Sequence, residues 1–291
     1  MGFWKTFFGG ETNEEETKSQ ADEKNFDLLK YDGVKAMRIG QLDYAVKCFR
    51  EALKIKDDLE VHDYLSQALV RVGQMGEALD ELRTIIDRHP DNMAALLQAA
   101  HVAYMQEDYA AMDAFCQQGE QLDADNAMVQ LMRARAELGQ GHDVQAIARL
   151  TKAIALDERL GDARLLRGQT LLRMGDLDSA TADVEWLVDK VEENGDVLLL
   201  KARIESAKGL TDQALESYGR VIDVNPFQQD AYRERGRLRY EQGDKEGAKD
   251  DMQKLMELNP QEAADVNGEF SAEGIEQKTR QAYSNLNPFG I

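Results

Sequence analysis

The sequence predicts an all-α solenoid built from about seven copies of a helix-turn-helix unit. The first observation is a glycine that recurs every 34 residues, at Gly141, Gly175, Gly209 and Gly243. The second is an alanine that follows each glycine at the same spacing, at Ala146, Ala180, Ala214 and Ala248. The third is a pair of prolines 34 residues apart, Pro226 and Pro260. A fixed period of roughly 20–50 residues is typical of repeat proteins whose units pack on their neighbours.

The composition agrees with a helical array and argues against nucleic-acid binding. The chain has 291 residues, of which 43% are apolar and only four are proline. Its formal charge is −20, whereas non-specific binding to nucleic acid depends on Lys and Arg that neutralise phosphates. The same charge weakens any general attraction to an anionic membrane surface.

The N-terminal residues 1–25 differ in composition from the rest. Phe3, Trp4, Phe7 and Phe8 lie within the first eight residues, and residues 9–25 are polar and acidic. A segment without apolar periodicity cannot offset the entropy of ordering, so residues 9–25 are predicted to be a disordered tether. The four aromatic side chains could contact a membrane interface or a partner. We favour the alternative that they pack on the first repeat or lie disordered.

The repeats can be written in one register from residue 26 to residue 262. The boundaries are 26–58, 59–92, 93–126, 127–160, 161–194, 195–228 and 229–262. After the last repeat, residues 271–286 place Ile275, Thr279, Ala282, Tyr283 and Leu286 on one helical face. Because an array exposes its last apolar face unless another element covers it, residues 263–291 are predicted to form a capping helix and a short tail.

The spacing has a physical basis in each unit. Glycine at the turn adopts positive φ without steric cost and so ends the first helix. Small residues, such as Ala248 and Gly236, allow two helices to approach closely, while a bulky residue such as Tyr218 or Met252 fills the adjacent space. Proline at the end of a unit cannot continue the helix.

This combination resembles the tetratricopeptide repeat, with small residues at the eighth and twentieth places, a bulky residue at the twenty-fourth and proline at the thirty-second. The turn sequences GQLDYA, GDLDSA and GDKEGA are similar to the inter-helix turn of that family. The third repeat departs from the pattern, since Glu107, Met112 and Gly119 replace the turn glycine and the two alanines. The resemblance implies a right-handed superhelix of seven helix pairs.

The resemblance also implies that the first helices line a groove in which ligands contact certain places of each repeat. The fifth place holds Leu97, Leu131, Leu165 and Leu199, and then Arg233. The ninth place holds His101, Arg135, Gln169, Arg203 and Arg237. One interpretation is a groove for a peptide with apolar and carboxylate groups, which arginine binds bidentately. The other is that the leucines are packing and the arginines pair with acids on neighbouring helices.

A more specific partner is not supported. Co-chaperones of this family hold a terminal carboxylate with a Lys/Asn/Arg clamp, and of the matching residues here only Lys30 fits. Nor does the sequence indicate catalysis, a cofactor or a metal: its four histidines are scattered, and the acids do not form a recognisable general acid/base pair. Cys48 and Cys116 are predicted to be buried reduced thiols, which favours the cytoplasm.

The predicted function is therefore a non-enzymatic scaffold or adaptor that binds a peptide segment of a partner protein. An alternative is self-association, or autoinhibition by a terminal segment that occupies the groove. An enzyme with an unrecognised site is the remote alternative.

Overall fold

The computed structural model describes residues 10–191, 193–259 and 272–284. These ranges contain fifteen α-helices and no strand, which confirms the prediction of an all-α protein made of helix pairs. The chain divides into two compact units, Met1–Asp157 and Glu158–Ile291. None of the described helices is both long and apolar enough to cross a membrane.

The first unit contains four helix pairs in which each helix packs on the next. Its helices are α1 (Gly10–Arg38), α2 (Leu42–Ile55), α3 (Leu59–Arg71), α4 (Met75–Arg88), α5 (Met93–Met105), α6 (Tyr109–Leu122), α7 (Ala127–Gly139) and α8 (Asp143–Leu156). The first helices of neighbouring pairs also contact each other, α1 with α3 and α5 with α7. This contact is what brings side chains from successive repeats onto one surface.

The second unit contains three helix pairs and one further helix. Its helices are α9 (Gly161–Met174), α10 (Leu177–Lys190), α11 (Gly195–Ala207), α12 (Thr211–Val224), α13 (Gln229–Glu241), α14 (Lys245–Leu258) and α15 (Ala272–Ser284). From α3 onward, each first helix begins at the residue where the sequence register begins a repeat.

Side-chain caps define where many of these helices begin. Asp58, Asn92, Asn126 and Asn194 precede first helices, and each accepts a hydrogen bond from a backbone amide two or three residues further on. An oxygen at this position satisfies one of the amides that the first turn leaves without a partner. The caps therefore set the register of the repeats along with the apolar pattern.

The turn between the two helices of a pair uses positive φ throughout. Six of the turns hold a glycine with φ between 74° and 87°, at Gly40, Gly73, Gly141, Gly175, Gly209 and Gly243. The turn of the third repeat has the same conformation with Glu107 at φ 57°. A side chain in this region costs about 1–2 kcal/mol relative to right-handed backbone, so this turn carries local strain.

The helix α1 is longer than the sequence predicted. Residues 10–25 belong to it, although residues 9–25 were expected to be a disordered tether. The physical reason is that Glu, Lys, Gln and Ala are good helix formers. Once the buried part of α1 has nucleated a helix, its extension costs little. Residues 1–9, including the four aromatic side chains, lie outside the described residues.

The helix α15 covers the last pair of the second unit. Ile275 and Tyr283 pack in one buried cluster with Tyr232, Met252 and Met256. The close approach depends on Gly236, because a β-carbon there would overlap the Tyr283 hydroxyl. This is the position at which the sequence predicts a capping helix.

Candidate peptide-binding surface

In the first unit, the helix α5 presents an exposed stripe of mixed apolar and polar side chains. Leu97, His101, Tyr104 and Met105 follow one another at spacings of four, three and one, so they share a face. Leu97 is half-buried and His101 is exposed, while Tyr104 and Met105 are 40% and 45% exposed. Large apolar side chains exposed next to each other are typical of interaction sites.

The helix α7 adds a cation and a second methionine to this surface. The Arg135 guanidinium lies over the Tyr104 ring, 5.9 Å from its centroid, and Met128 is 43% exposed on the same helix. A cation over an aromatic face is attracted by the ring quadrupole, which holds the ring and the charge side by side. We call Leu97, His101, Tyr104, Met105, Met128 and Arg135 the α5–α7 patch.

Contacts behind the patch hold Tyr104 in place. Its ring meets the Tyr109 ring of α6 edge to face, with centroids 6.4 Å apart. Tyr109 in turn packs against Gly139 at the end of α7, where a β-carbon would overlap the tyrosine ring. The aromatic part of the patch is therefore supported by three helices.

Two of the four predicted groove leucines are buried. Leu131 and Leu199 are 1% and 5% exposed, whereas Leu97 and Leu165 are half-buried. Leu199 packs in a cluster with Leu198, Ala202 and Tyr218. Burial of Leu131 and Leu199 agrees with the alternative that these leucines are packing, whereas Leu97 and Leu165 remain partly accessible.

In the second unit, Arg203 is held by acids of the following repeat. Its guanidinium donates to both Glu234 carboxylate oxygens at 2.6–3.0 Å and to Asp230 at 2.9 Å. Burial alone lowers the pKa of Arg203, but the hydrogen bonds and charges of Glu234 and Asp230 outweigh it and raise the pKa above its ordinary value. Glu234 also accepts a hydrogen bond from the Tyr218 hydroxyl at 2.8 Å.

The other predicted basic residues of this unit are engaged in a similar way. Arg233 donates to Asp230 at 2.7 Å and Arg237 donates to Glu241 at 2.9 Å. Gln169 is exposed on α9. Arg203 therefore pairs with acids on a neighbouring helix, as the alternative expects, whereas Arg233 and Arg237 pair with acids of their own helix α13.

The residue that matches the chaperone clamp is also paired. The Lys30 ammonium donates to Glu60 and lies 3.8 Å from Asp58. Burial lowers the pKa of Lys30, but Glu60 and Asp58 outweigh it and raise the pKa.

A set of buried ion pairs lies inside the repeats and was not predicted from the sequence. Arg167 binds Asp183 through two hydrogen bonds of 2.8 and 2.6 Å, and Arg235 binds Asp251 in the same way at 3.0 and 2.6 Å. The sequence contains a pattern that could have indicated these pairs. Arg167 and Arg235 are two repeat lengths of 34 residues apart, and so are Asp183 and Asp251.

Two other half-buried side chains, His62 and Trp186, make local contacts. His62 lies between Asp57, at 2.9 Å, and Glu81. The Trp186 ring carries the Arg164 guanidinium 4.1 Å from its centroid. Among the residues that the structure describes, no group of three His, Cys, Asp or Glu side chains is placed to hold a metal ion.

Successive helix pairs, each packed on the next within its unit, define an α-solenoid architecture. A sequence model of the tetratricopeptide repeat matches residues 65–127 and 199–263. These two segments are tetratricopeptide repeats, and the other described helix pairs share their architecture.

The chain is similar to one curated protein in sequence and to solved structures in fold. DnaJ homolog subfamily C member 3 from Mus musculus is 27% identical over 169 residues, which are 56% of this chain and 26% of that protein. The chain thus spans about a quarter of the length of this curated relative. A tetratricopeptide repeat protein from Parabacteroides merdae ATCC 43184 has a similar structure, with a TM-score of 0.69 and 15% identity over 90% of this chain and 100% of its own.

A further structural relative is YrrB, described as a TPR protein with an unusual peptide-binding site. Its TM-score is 0.51 at 17% identity, over 62% of this chain and 92% of its own. At these sequence identities, both structural similarities show a shared fold alone.

Proposed function

We propose that this chain is a non-enzymatic scaffold that binds a peptide segment of a partner protein on the α5–α7 patch. The observation that carries the proposal is the exposure of Tyr104 and Met105 beside the Arg135 guanidinium. Aromatic residues, methionine and arginine are the side chains enriched in protein interfaces. Tetratricopeptide repeat proteins as a class are protein–protein interaction scaffolds, and YrrB is a relative whose description includes a peptide-binding site.

The chemistry of the patch favours a peptide with an apolar side chain next to an acidic one. The apolar side chain would pack on Tyr104 and Met105, which together with Leu97 supply the apolar surface. The acidic side chain would lie near Arg135 and His101. Arginine suits this role because its planar guanidinium still offers donors at its edge when its face is stacked on a ring.

We place this site in the first unit because its helix α5 exposes two large apolar side chains, Tyr104 and Met105, beside the Arg135 guanidinium. Arg203 makes a bidentate contact with Glu234, so a peptide carboxylate would have to displace a carboxylate that is already bound. In this proposal the second unit is part of the scaffold but does not bind the carboxylate of the peptide.

The experiment is selection from a displayed library of random peptides, followed by titration of the selected peptides. Peptides selected on the wild-type chain are expected to combine an apolar and an acidic residue. Replacing both Tyr104 and Met105 by alanine is expected to weaken their binding by at least about tenfold, which corresponds to about 1.4 kcal/mol. Arg135→Gln is expected to remove the preference for the acidic residue.

The matched control is Met174→Ala, which truncates an exposed methionine of the second unit. It is expected to leave the affinity unchanged. Equal binding by the wild-type chain and by the Tyr104/Met105 variant, with both folded by circular dichroism, would place the peptide elsewhere and refute the proposal.

We also propose that the protein works in a reducing compartment, the cytoplasm. Cys48 and Cys116 are both free and buried. Burial raises the pKa of the Cys116 thiol to about 12, so the thiol stays protonated and unreactive. The measurement is the redox state of both thiols in cell extracts quenched with a maleimide, and an oxidised pool would contradict the proposal.

A further inference from the structure

The helix α1 exposes a side chain at a place that is buried in every other repeat. The third residue of each first helix is apolar and at most 4% exposed at Val61, Ala95, Val129, Ala163, Val197 and Ala231. Val129, for example, packs in a cluster with Met112 and Cys116 of the preceding helix α6. The same place in the first repeat is Leu28, which is 54% exposed.

The sixth place is also more exposed in α1 than in the other repeats. Met132 and Leu200 are buried there, Gln98, Leu166 and Glu234 are half-buried, and the half-buried Tyr64 stacks on the Phe49 ring with centroids 5.7 Å apart. The equivalent residue of the first repeat is Tyr31, which is 70% exposed. Leu28 and Tyr31 are thus more exposed than the equivalent residues of the other repeats, and no described part of the chain covers them.

The same helix extends beyond its own repeat. It has 29 residues, which at about 1.5 Å per residue gives a length of about 44 Å. Residues 18–25 are helical and exposed throughout. A helical segment exposed on all sides is marginal in water and is stabilised when a partner helix packs on it.

We propose that two copies of the chain associate through α1, with the two helices antiparallel around a twofold axis at Leu28. This register places Leu28 against Leu28 of the partner copy, and residue i against residue 56 − i. Lys24 then meets Asp32 of the other copy, and the contact is made twice because the interface is isologous.

The sequence of α1 is self-complementary in this register. Lys24, Leu28 and Asp32 are spaced by four residues and so lie on one face. Tyr31 meets Asn25 of the other copy, a residue small enough to leave space for the ring. Charge complementarity within one helix is the reason for choosing a second copy of this chain as the occupant. The proposal is independent of peptide binding, which uses α5 and α7.

The test exploits the symmetry of the contact. Light scattering at about 150 mM salt, which screens the repulsion between two acidic chains, is expected to give twice the chain mass of 32.7 kDa. Lys24→Glu and Asp32→Lys each create two like-charge contacts, and each is expected to weaken the dimer by at least about tenfold. An equal mixture of the two variants restores both opposite-charge contacts, so it is expected to recover the dimer.

Leu28→Asp is expected to weaken the dimer by at least about 100-fold, because it places two carboxylates on the axis. Its matched control is Val144→Asp in α8, a similarly exposed apolar residue of the same unit, which is expected to leave the dimer intact. Circular dichroism at 222 nm establishes that each variant is folded. A monomer at 100 µM, or a dimer unaffected by Leu28→Asp, would overturn the proposal; failure of the mixture to recover the dimer would overturn the antiparallel register.

Discussion

Replacement of Asp251 by alanine tests whether the buried ion pairs stabilise the repeats. The Asp251 carboxylate is 2% exposed and accepts three hydrogen bonds, two from Arg235 and one of 3.0 Å from Arg239. The two guanidinium groups come from α13 and the carboxylate from α14, so the contact joins both helices of the last pair.

The expected loss of stability follows from the groups left behind. Removing one partner of a buried ion pair costs about 3–5 kcal/mol, because the remaining charge is buried and unpaired. The side chains of Arg235 and Arg239 are 16% and 28% exposed, so water can reach part of each guanidinium. Because water solvates part of each guanidinium, we expect a value at the lower end of this range, a decrease of about 3 kcal/mol in the free energy of unfolding of the second unit.

The assay is urea denaturation followed by tryptophan fluorescence. The chain has two tryptophans, so a Trp4→Phe background leaves Trp186 of the second unit as the reporter. The matched control is Asp250→Ala, the exposed neighbouring aspartate, for which a change within about 0.5 kcal/mol is expected. If Asp251→Ala differed from this control by less than about 0.5 kcal/mol, the carboxylate would not be stabilising and the reasoning would be refuted.

Three further predictions concern a turn, a close packing contact and an acid. Glu107→Gly is expected to stabilise the first unit by about 1 kcal/mol, because glycine relieves the positive φ. Gly236→Ala is expected to displace α15 and to speed amide exchange in residues 274–283, because the new methyl group overlaps the Tyr283 hydroxyl. The pKa of Asp57 is lowered to about 2 by hydrogen bonds from Arg88 and then His62, so Arg88→Ala is expected to raise that pKa in an NMR titration. Folding favours the ionised carboxylate of Asp57 over the protonated form. Its contribution to the free energy of unfolding is therefore present above its unfolded pKa of about 4 and is lost as the pH falls toward 2.

Each of these predictions has a control that isolates its cause. Glu107→Ala keeps a β-carbon at positive φ, so a gain equal to that of glycine would contradict relief of strain. Gly219→Ala adds the same methyl group on α12 with only ordinary contact to Arg235; equal amide exchange in both alanine variants would exclude the α15 contact. Arg83→Ala removes an arginine that pairs with Asp80 and is expected to leave the pKa of Asp57 unchanged.

The candidate site was only partly predictable. Leu97, His101 and Arg135 were named from their places in the repeat, and all three lie on the α5–α7 patch. Tyr104 and Met105 were missed, because residues were named only from the fifth and ninth places of each repeat. Burial of Leu131 and Leu199 was not predictable, since a leucine at a given place can face solvent or a neighbouring helix.

The buried ion pairs could have been predicted but were not. A basic residue recurs at Arg133, Arg167, Lys201 and Arg235 every 34 residues, and an aspartate recurs at Asp183 and Asp251. In the sixth repeat the aspartate is replaced by Ser217, and the buried Glu205 accepts its hydroxyl hydrogen bond at 2.6 Å. The pattern shows two series with the same period, but which carboxylate faces which cation depends on the packing of the two helices.

The sequence by itself determined the class of this protein. Glycines at positive φ, alanines at helix contacts and caps such as Asn92 and Asn126 act locally, so their spacing specifies the helices and the turns without reference to the rest of the chain. Only the tertiary structure decided which side chains form the surfaces. Exposure at Leu28 and Tyr104, and pairing at Arg203, depend on which helix covers each place, and that is a property of the packed array rather than of the repeat.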